Sequence, residues 1–134
     1  MSDYVMSAGV RSRLEKTQQI LLGEHWCTAS DGSETDVFNP SDGTVIASAA
    51  SASTDDCDRA VAAARDAFEA GSWTGLTPAQ RGKILWRVGD LLDEYADEVA
   101  ELEMLDAGKS FAGARHGEVP FAADCFRYFA GWCT

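Results

Sequence analysis

The chain has 134 residues, 46% of them hydrophobic, and carries 22 acids against 11 bases for a net charge of −11. That length allows one domain or part of one, and the composition is that of a folded chain. So acidic a chain disfavours nucleic acid and anionic membrane surfaces, and no long apolar run marks a membrane span.

Residues 1–18 read as an N-terminal arm in which Val10, Leu14 and Thr17 line one side of a short helix. No basic segment followed by an apolar core opens the chain, so no secretory signal is expected. The run QILLGEHW at 19–26 reads as a first strand. Ser30-Asp31-Gly32-Ser33 is a turn cluster that closes a hairpin onto a second strand, Thr35–Phe38. Asn39-Pro40-Ser41-Asp42-Gly43 is the next turn, since Pro40 pre-sets a turn backbone and Gly43 admits positive φ. Thr44–Ala49 follows as a third strand. The strand unit, 19–50, is a small antiparallel meander that needs a covering layer.

Helices are expected over about 54–70, 77–107 and 110–132. Ser53 caps the first and Asp56 completes a capping box, while Gly71 ends it. Trp73, in the connector, is expected to anchor against the next helix. Thr77 and Pro78 start the second helix, and Gly108 stops it in a left-handed conformation. Ile84, Val88, Leu91, Leu92, Tyr95, Val99 and Leu102 recur at helical spacing and predict its buried face. Pro120 is expected to kink the third helix.

Chemical motifs are sparse. No G-x-G-x-x-G, Walker loop or G-x-S-x-G elbow occurs. Cys27, Cys57, Cys125 and Cys133 form no C-x-x-C pair and have no zinc spacing, so they read as reduced thiols of a cytoplasmic protein. His25 and His116 are isolated, and the paired acids of the second helix read as a solvated face. Asp106 stands out, because an anion in the last turn of a helix wants a compensating partner, either Lys109 or a bound cation. The aromatic residues Phe121, Phe126, Tyr128, Phe129 and Trp132 read as core, with a ligand wall as the other possibility.

LEMLDAGKSF at 102–111 resembles a segment of the NAD(P)-dependent aldehyde dehydrogenases. The likeness extends over DVFNPSDGTVIA (36–47), AVAAARDAF (60–68), LTPAQRGKILWR (76–87) and FRYFAGW (126–132), in the family's order. It covers residues 19–134, which it marks as a partial N-terminal domain of that family. Ala107 departs from the pattern, which has Asn there.

The resemblance implies an α+β fold, a short antiparallel strand unit plus three helices, like the N-terminal part of the family's Rossmann-like cofactor domain. It implies a monovalent cation near Asp106 and the backbone carbonyl of Phe38, with a further ligand from beyond the chain. It also puts Gly117 and Phe121 beside the aldehyde channel. The family oxidises aldehydes to carboxylic acids with NAD(P)+, through a cysteine nucleophile and a glutamate that activates water. None of the segments matched here carries those groups or the dinucleotide-binding unit. The chain is therefore expected to be a truncated or split copy without turnover or cofactor of its own. Its expected partner is the rest of an aldehyde dehydrogenase chain or a homologous subunit, with no nucleic acid or membrane. Two alternatives stay open: a stand-alone acidic α+β partner-binding module, and a remnant without function.

Overall fold

The computed structural model describes residues 5–134, so the first four residues of the expected arm lie outside it. The run expected as one strand turns back on itself at Gly23, whose φ of +62° is open to glycine at no steric cost. Ile20–Leu22 (β1) and His25–Cys27 (β2) thus pair antiparallel, with Leu21 opposite Trp26. Residues 30–33 then lead from one sheet to another instead of closing a hairpin. Glu34–Phe38 (β3) pairs antiparallel with Val45–Ala50 (β4), with a bulge between Val37 and Phe38. The expected meander is in fact two separate two-stranded sheets. Gln18 lies beside β4: its amide donates to the Ser48 carbonyl at 2.7 Å and its carbonyl accepts from the Ala50 amide at 2.8 Å.

Ala8–Leu14 (α1) starts at Ser7, whose hydroxyl accepts from the Val10 amide. Val10 is fully buried. The Ser7 amide donates to the buried carboxylate of Glu101 at 2.7 Å. Thr54–Glu69 (α2) has the expected box of Ser53 and Asp56. Asp56 does more than cap. Its Oδ2 also accepts from the amide and hydroxyl of Ser30, at 3.0 and 3.1 Å, and Arg59 pairs with its other oxygen. One buried carboxylate therefore ties α2 to the loop after β2.

The helix expected over 77–107 is two helices. Pro78–Glu94 (α3) opens with a reciprocal box between Thr77 and Gln80. The chain then bends at Tyr95 (φ −103°, ψ 21°) into Ala96–Ala107 (α4), which ends at Gly108 with φ +68°. Neither Pro nor Gly stands at the bend; the two halves pack on different neighbours, so packing overrides local propensity. Alpha-3 lies against Val119–Gly131 (α6), whereas α4 lies against α1 and the turns before α6.

After Gly108 the short helix Phe111–Gly113 (α5) is capped by Ser110 and runs into a π turn, Ala114–Glu118. The Val119 amide reaches back five residues to the Ala114 carbonyl. This widened turn immediately precedes Pro120 and makes room for a ring that would crowd the carbonyl one α-turn earlier.

Alpha-3 and α6 cross antiparallel through a seam of small residues. A Cβ on Gly82 would lie 3.0 Å from the Ala130 carbonyl oxygen, and one on Gly89 would lie 2.9 Å from that of Ala123. Arg127 locks this seam, donating to Asp90 at 3.0 Å and Asp93 at 2.5 Å, with its guanidinium over the Trp86 ring. The remaining core is small: Ala96, Ala100, Ala114 and Val119, flanked by Leu92 and Val99.

The chain exposes 9095 Å². A folded monomer of 14.4 kDa exposes roughly 6,800 Å², so the surplus is on the order of 2,000 Å². Much of it is apolar. Ile84, Leu91 and Tyr95, expected to be buried, are exposed, because α3 turns its glycine face to α6 instead. Trp73, the expected anchor, is likewise exposed. Among the described residues no helix is long and apolar enough to cross a membrane.

Candidate functional site

Alpha-6 presents two unlike faces. Val119, Ala123 and Ala130 turn inward and are buried. On the opposite face stand Phe121, Tyr128 and Trp132, at 71%, 60% and 70% exposure. Gly117, in the π turn, continues that stripe, and a Cβ added there would meet nothing within 4 Å. The aromatic residues expected as core are thus mostly surface; Phe126 is the least exposed of them, beside Ala123 and Ala130 in helical phase. Tyr128 lies edge-on to Phe129 at 5.2 Å and tilted against Trp132 at 5.9 Å. The structure brings Gly117 and Phe121 together on one open face. It also shows that Tyr128 and Trp132 extend that face, which their helical spacing from Phe121 already encoded.

Asp106 lines a second feature, and Phe38 only adjoins it through Val37. A groove of about 360 Å³ runs between α1, α4 and the β3–β4 sheet, with Val37, Ile46, Leu102 and Leu105 as its apolar walls and Asp106 and Glu103 at its acidic side. Phe38 follows Val37 past the bulge and is exposed. The turn after Phe38 closes on the end of α4: a Cβ on Gly108 would lie 2.9 Å from Pro40 Cγ. That turn is itself rigid. Asp42 accepts from the Thr44 hydroxyl at 2.7 Å and the Thr44 amide at 2.9 Å, and these bonds hold its carboxyl below the usual range.

Lys109 does not neutralise Asp106. Its ammonium donates to Glu103 at 2.7 Å and Glu118 at 2.8 Å, which raises its pKa well above the usual lysine range. Asp106 has no ion pair or hydrogen bond with another described side chain, and it sits where the α4 dipole is negative. Among the described residues no three His, Cys, Asp or Glu side chains gather as a metal site. The four cysteines are free thiols, and His25 and His116 are exposed.

Sequence reasoning missed two organising side chains. Asp56 showed its capping role but not its link to Ser30, because the partner lies far away in sequence. Arg127 gave no signal of its role in the seam, because Asp90 and Asp93, to which it donates, are on another helix.

Residues 26–134 match the model of the aldehyde dehydrogenase family. The chain is 38% identical over 131 residues to the cytosolic 10-formyltetrahydrofolate dehydrogenase of Xenopus laevis, spanning 98% of this chain but 14% of that relative. Its fold superposes with a TM-score of 0.93 on a variant of the aldehyde dehydrogenase from Bacillus cereus, at 31% identity, covering 98% of this chain and 27% of that one. The NAD+ complex of the Bacillus cereus enzyme gives 0.91 at 32% identity, over 96% of this chain and 26% of that one. The chain thus spans only a small part of the length of the relatives it matches.

Proposed function

Because this chain belongs to the aldehyde dehydrogenase family, we propose that it serves as the strand-and-helix scaffold on which the cofactor-binding and catalytic parts of such an enzyme seat. The observation that carries this reading is the surplus apolar surface. Val61 and Phe68 on α2, at 70% and 68% exposure, and Ile84 and Leu91 on α3 with Tyr95 at its end form exposed apolar stripes at helical spacing. An apolar face this large marks a missing neighbour.

In that setting Gly117 and Phe121 form one side of the aldehyde's path, the glycine leaving space and the phenyl ring offering an apolar wall. Asp106 and the Phe38 carbonyl hold a monovalent cation with ligands from outside this chain. A carboxylate that pairs with no described side chain, at a negative helix end close to the turn after Phe38, fits that role. NAD(P)+ supplies the hydride acceptor when the whole enzyme is assembled. The residues here position and exclude water; none of them reacts with the aldehyde. The chain alone therefore has no turnover, and it binds no nicotinamide cofactor by itself.

The test is to incubate the purified chain with NAD+ or NADP+ and a panel of aliphatic and aromatic aldehydes, and to follow reduced nicotinamide. No reduction above the blank is expected. Steady reduction that scales with protein would overturn the scaffold reading. The same exposed stripes also favour the stand-alone partner-binding module, in which another protein covers them.

A further inference from the structure

We propose that the cleft between the end of α1, the β1–β2 hairpin and α4 is a binding site for a small aromatic carboxylate. It uses none of the residues assigned above to the aldehyde path or the cation, so it does not rest on the scaffold reading.

The cleft holds about 680 Å³, a volume typical of small-molecule sites. Arg13 and Lys16 come from the end of α1 and just beyond it, Trp26 from β2 and Glu98 from α4. Gln18 fixes these elements together. Its side-chain amide donates to the Arg13 carbonyl at 2.9 Å and the Lys16 carbonyl at 2.6 Å, while its main chain is bonded to β4. Those bonds hold the backbone that carries both cations beside the sheets. They also engage two carbonyl oxygens that would otherwise repel an anion at this negative helix end.

The lining is rich in donors and poor in acceptors. Glu98 is the one acid among the lining residues, and it is engaged by Arg13 at 3.4 Å. Lys16 pairs with no described acid, and the side chains of Ser12, Gln19 and Trp26 have no described hydrogen-bond partner. Arg13 and Lys16 against Glu98 give the lining a net charge of +1, in a chain whose net charge is −11. Glu34 adjoins the cleft through Thr17 without lining it, and its oxygens accept from the Thr17 and Ser48 hydroxyls at 3.3 and 2.5 Å.

Cations at a helix end suit the dipole whatever binds there. What marks a site is that they share one cleft with an exposed indole and unengaged donors. A surplus of one positive charge matches a single carboxylate, held by charge-assisted hydrogen bonds from Arg13 and Lys16. Trp26, at 65% exposure, stands across the hairpin from Leu21 and offers a flat apolar wall with an N–H at its edge. An aromatic ring packs on that wall while its carboxylate reaches the cations. An aliphatic acid lacks the first contact, and a neutral aromatic alcohol lacks the second.

The test is titration of the chain with benzoate, followed by proton NMR of the ligand and of the indole N–H groups, with circular dichroism to confirm folding. Binding with a constant on the order of one millimolar is expected, weakening as salt is added. The Trp26 indole signal should shift, and those of Trp73, Trp86 and Trp132 should not. Lys16→Met and Trp26→Leu should each weaken binding at least threefold with the fold unchanged, because both side chains are exposed. Glu98→Gln frees Arg13 and should tighten it. Phe68→Asp, which alters the exposed face of α2, should leave it intact. Benzyl alcohol and cyclohexanecarboxylate should each bind at least threefold more weakly than benzoate. No binding of benzoate at roughly twenty times the expected constant would overturn the proposal. So would equal binding of benzyl alcohol, a folded Lys16→Met or Trp26→Leu chain that binds as before, a folded Glu98→Gln chain that binds no more tightly, or loss of binding with Phe68→Asp.

Discussion

The backbone of Ala123 occupies the space that a side chain on Gly89 would need: a Cβ there would stand 2.9 Å from the Ala123 carbonyl oxygen. Gly82 and Ala130 repeat the relationship about two turns away along the same antiparallel crossing. Close approach of backbones, rather than burial of large side chains, holds α3 to α6.

Gly89→Ala is therefore expected to destabilise the chain. Alanine gains up to about 1 kcal/mol over glycine in a helix interior. Separating two packed backbones costs more, on the order of 1–3 kcal/mol. Urea unfolding should show a lower midpoint for Gly89→Ala. At Gly131, where an added Cβ meets nothing, alanine should be neutral or better.

Arg127 bridges Asp90, Asp93 and the Trp86 ring, and these acids hold its pKa above the usual arginine value. Arg127→Met keeps much of the stem but removes the donors. The expected outcome is a lower urea midpoint and a changed Trp86 emission, read against a Trp86→Phe control. Arg127→Lys should restore only part, because an ammonium lacks the planar fork that spans two carboxylates.

Asp56 sets an acid limb. Bonds from the Ser30 and Ser53 amides lower its pKa from 3.8 to about 2, against the opposing effect of burial. A depressed carboxylate pKa stabilises the fold above the unfolded-state value, and that contribution is lost as pH falls through the folded value. Stability should thus decline between about pH 4 and about pH 2. Asp56→Asn should be less stable at pH 7 and lose part of this decline, as measured by urea midpoints across that range.

Gly108 has φ +68°, and an added Cβ would press on Pro40 Cγ at 2.9 Å. Gly108→Ala should cost on the order of 1–2 kcal/mol, from the left-handed backbone and the crowded proline together. Gly32→Ala shares the positive φ but has open space, so it should cost less in the same unfolding assay.

Much of this fold was legible where the signal is local. Ser53, Asp56, Thr77 and Gly108 mark helix ends through bonds and backbone angles spanning a few residues, and the structure has them there. The division of β1 from β2 was missed because the alternation of QILLGEHW hid a glycine turn. The bend at Tyr95 and the π turn before Pro120 follow from packing and crowding that no periodicity reports. Ile84, Leu91 and Tyr95 teach the most. Their spacing shows which face of α3 seeks cover, but not that the glycine face has already taken α6. At the candidate site, Gly117 and Phe121 were singled out by the family resemblance, and their one-turn spacing agrees with the open face they share. That Asp106 would pair with no described side chain was not legible, because Lys109 is captured by Glu103 and Glu118.

The most direct measurement grafts this chain into the Bacillus cereus aldehyde dehydrogenase in place of the segment it matches and follows NADH formation with an aldehyde. If the chain is a scaffold for that family, the chimera folds and reduces NAD+, while the free chain does not. A chimera that folds to the parent's size and binds NAD+ yet forms no NADH would contradict the account.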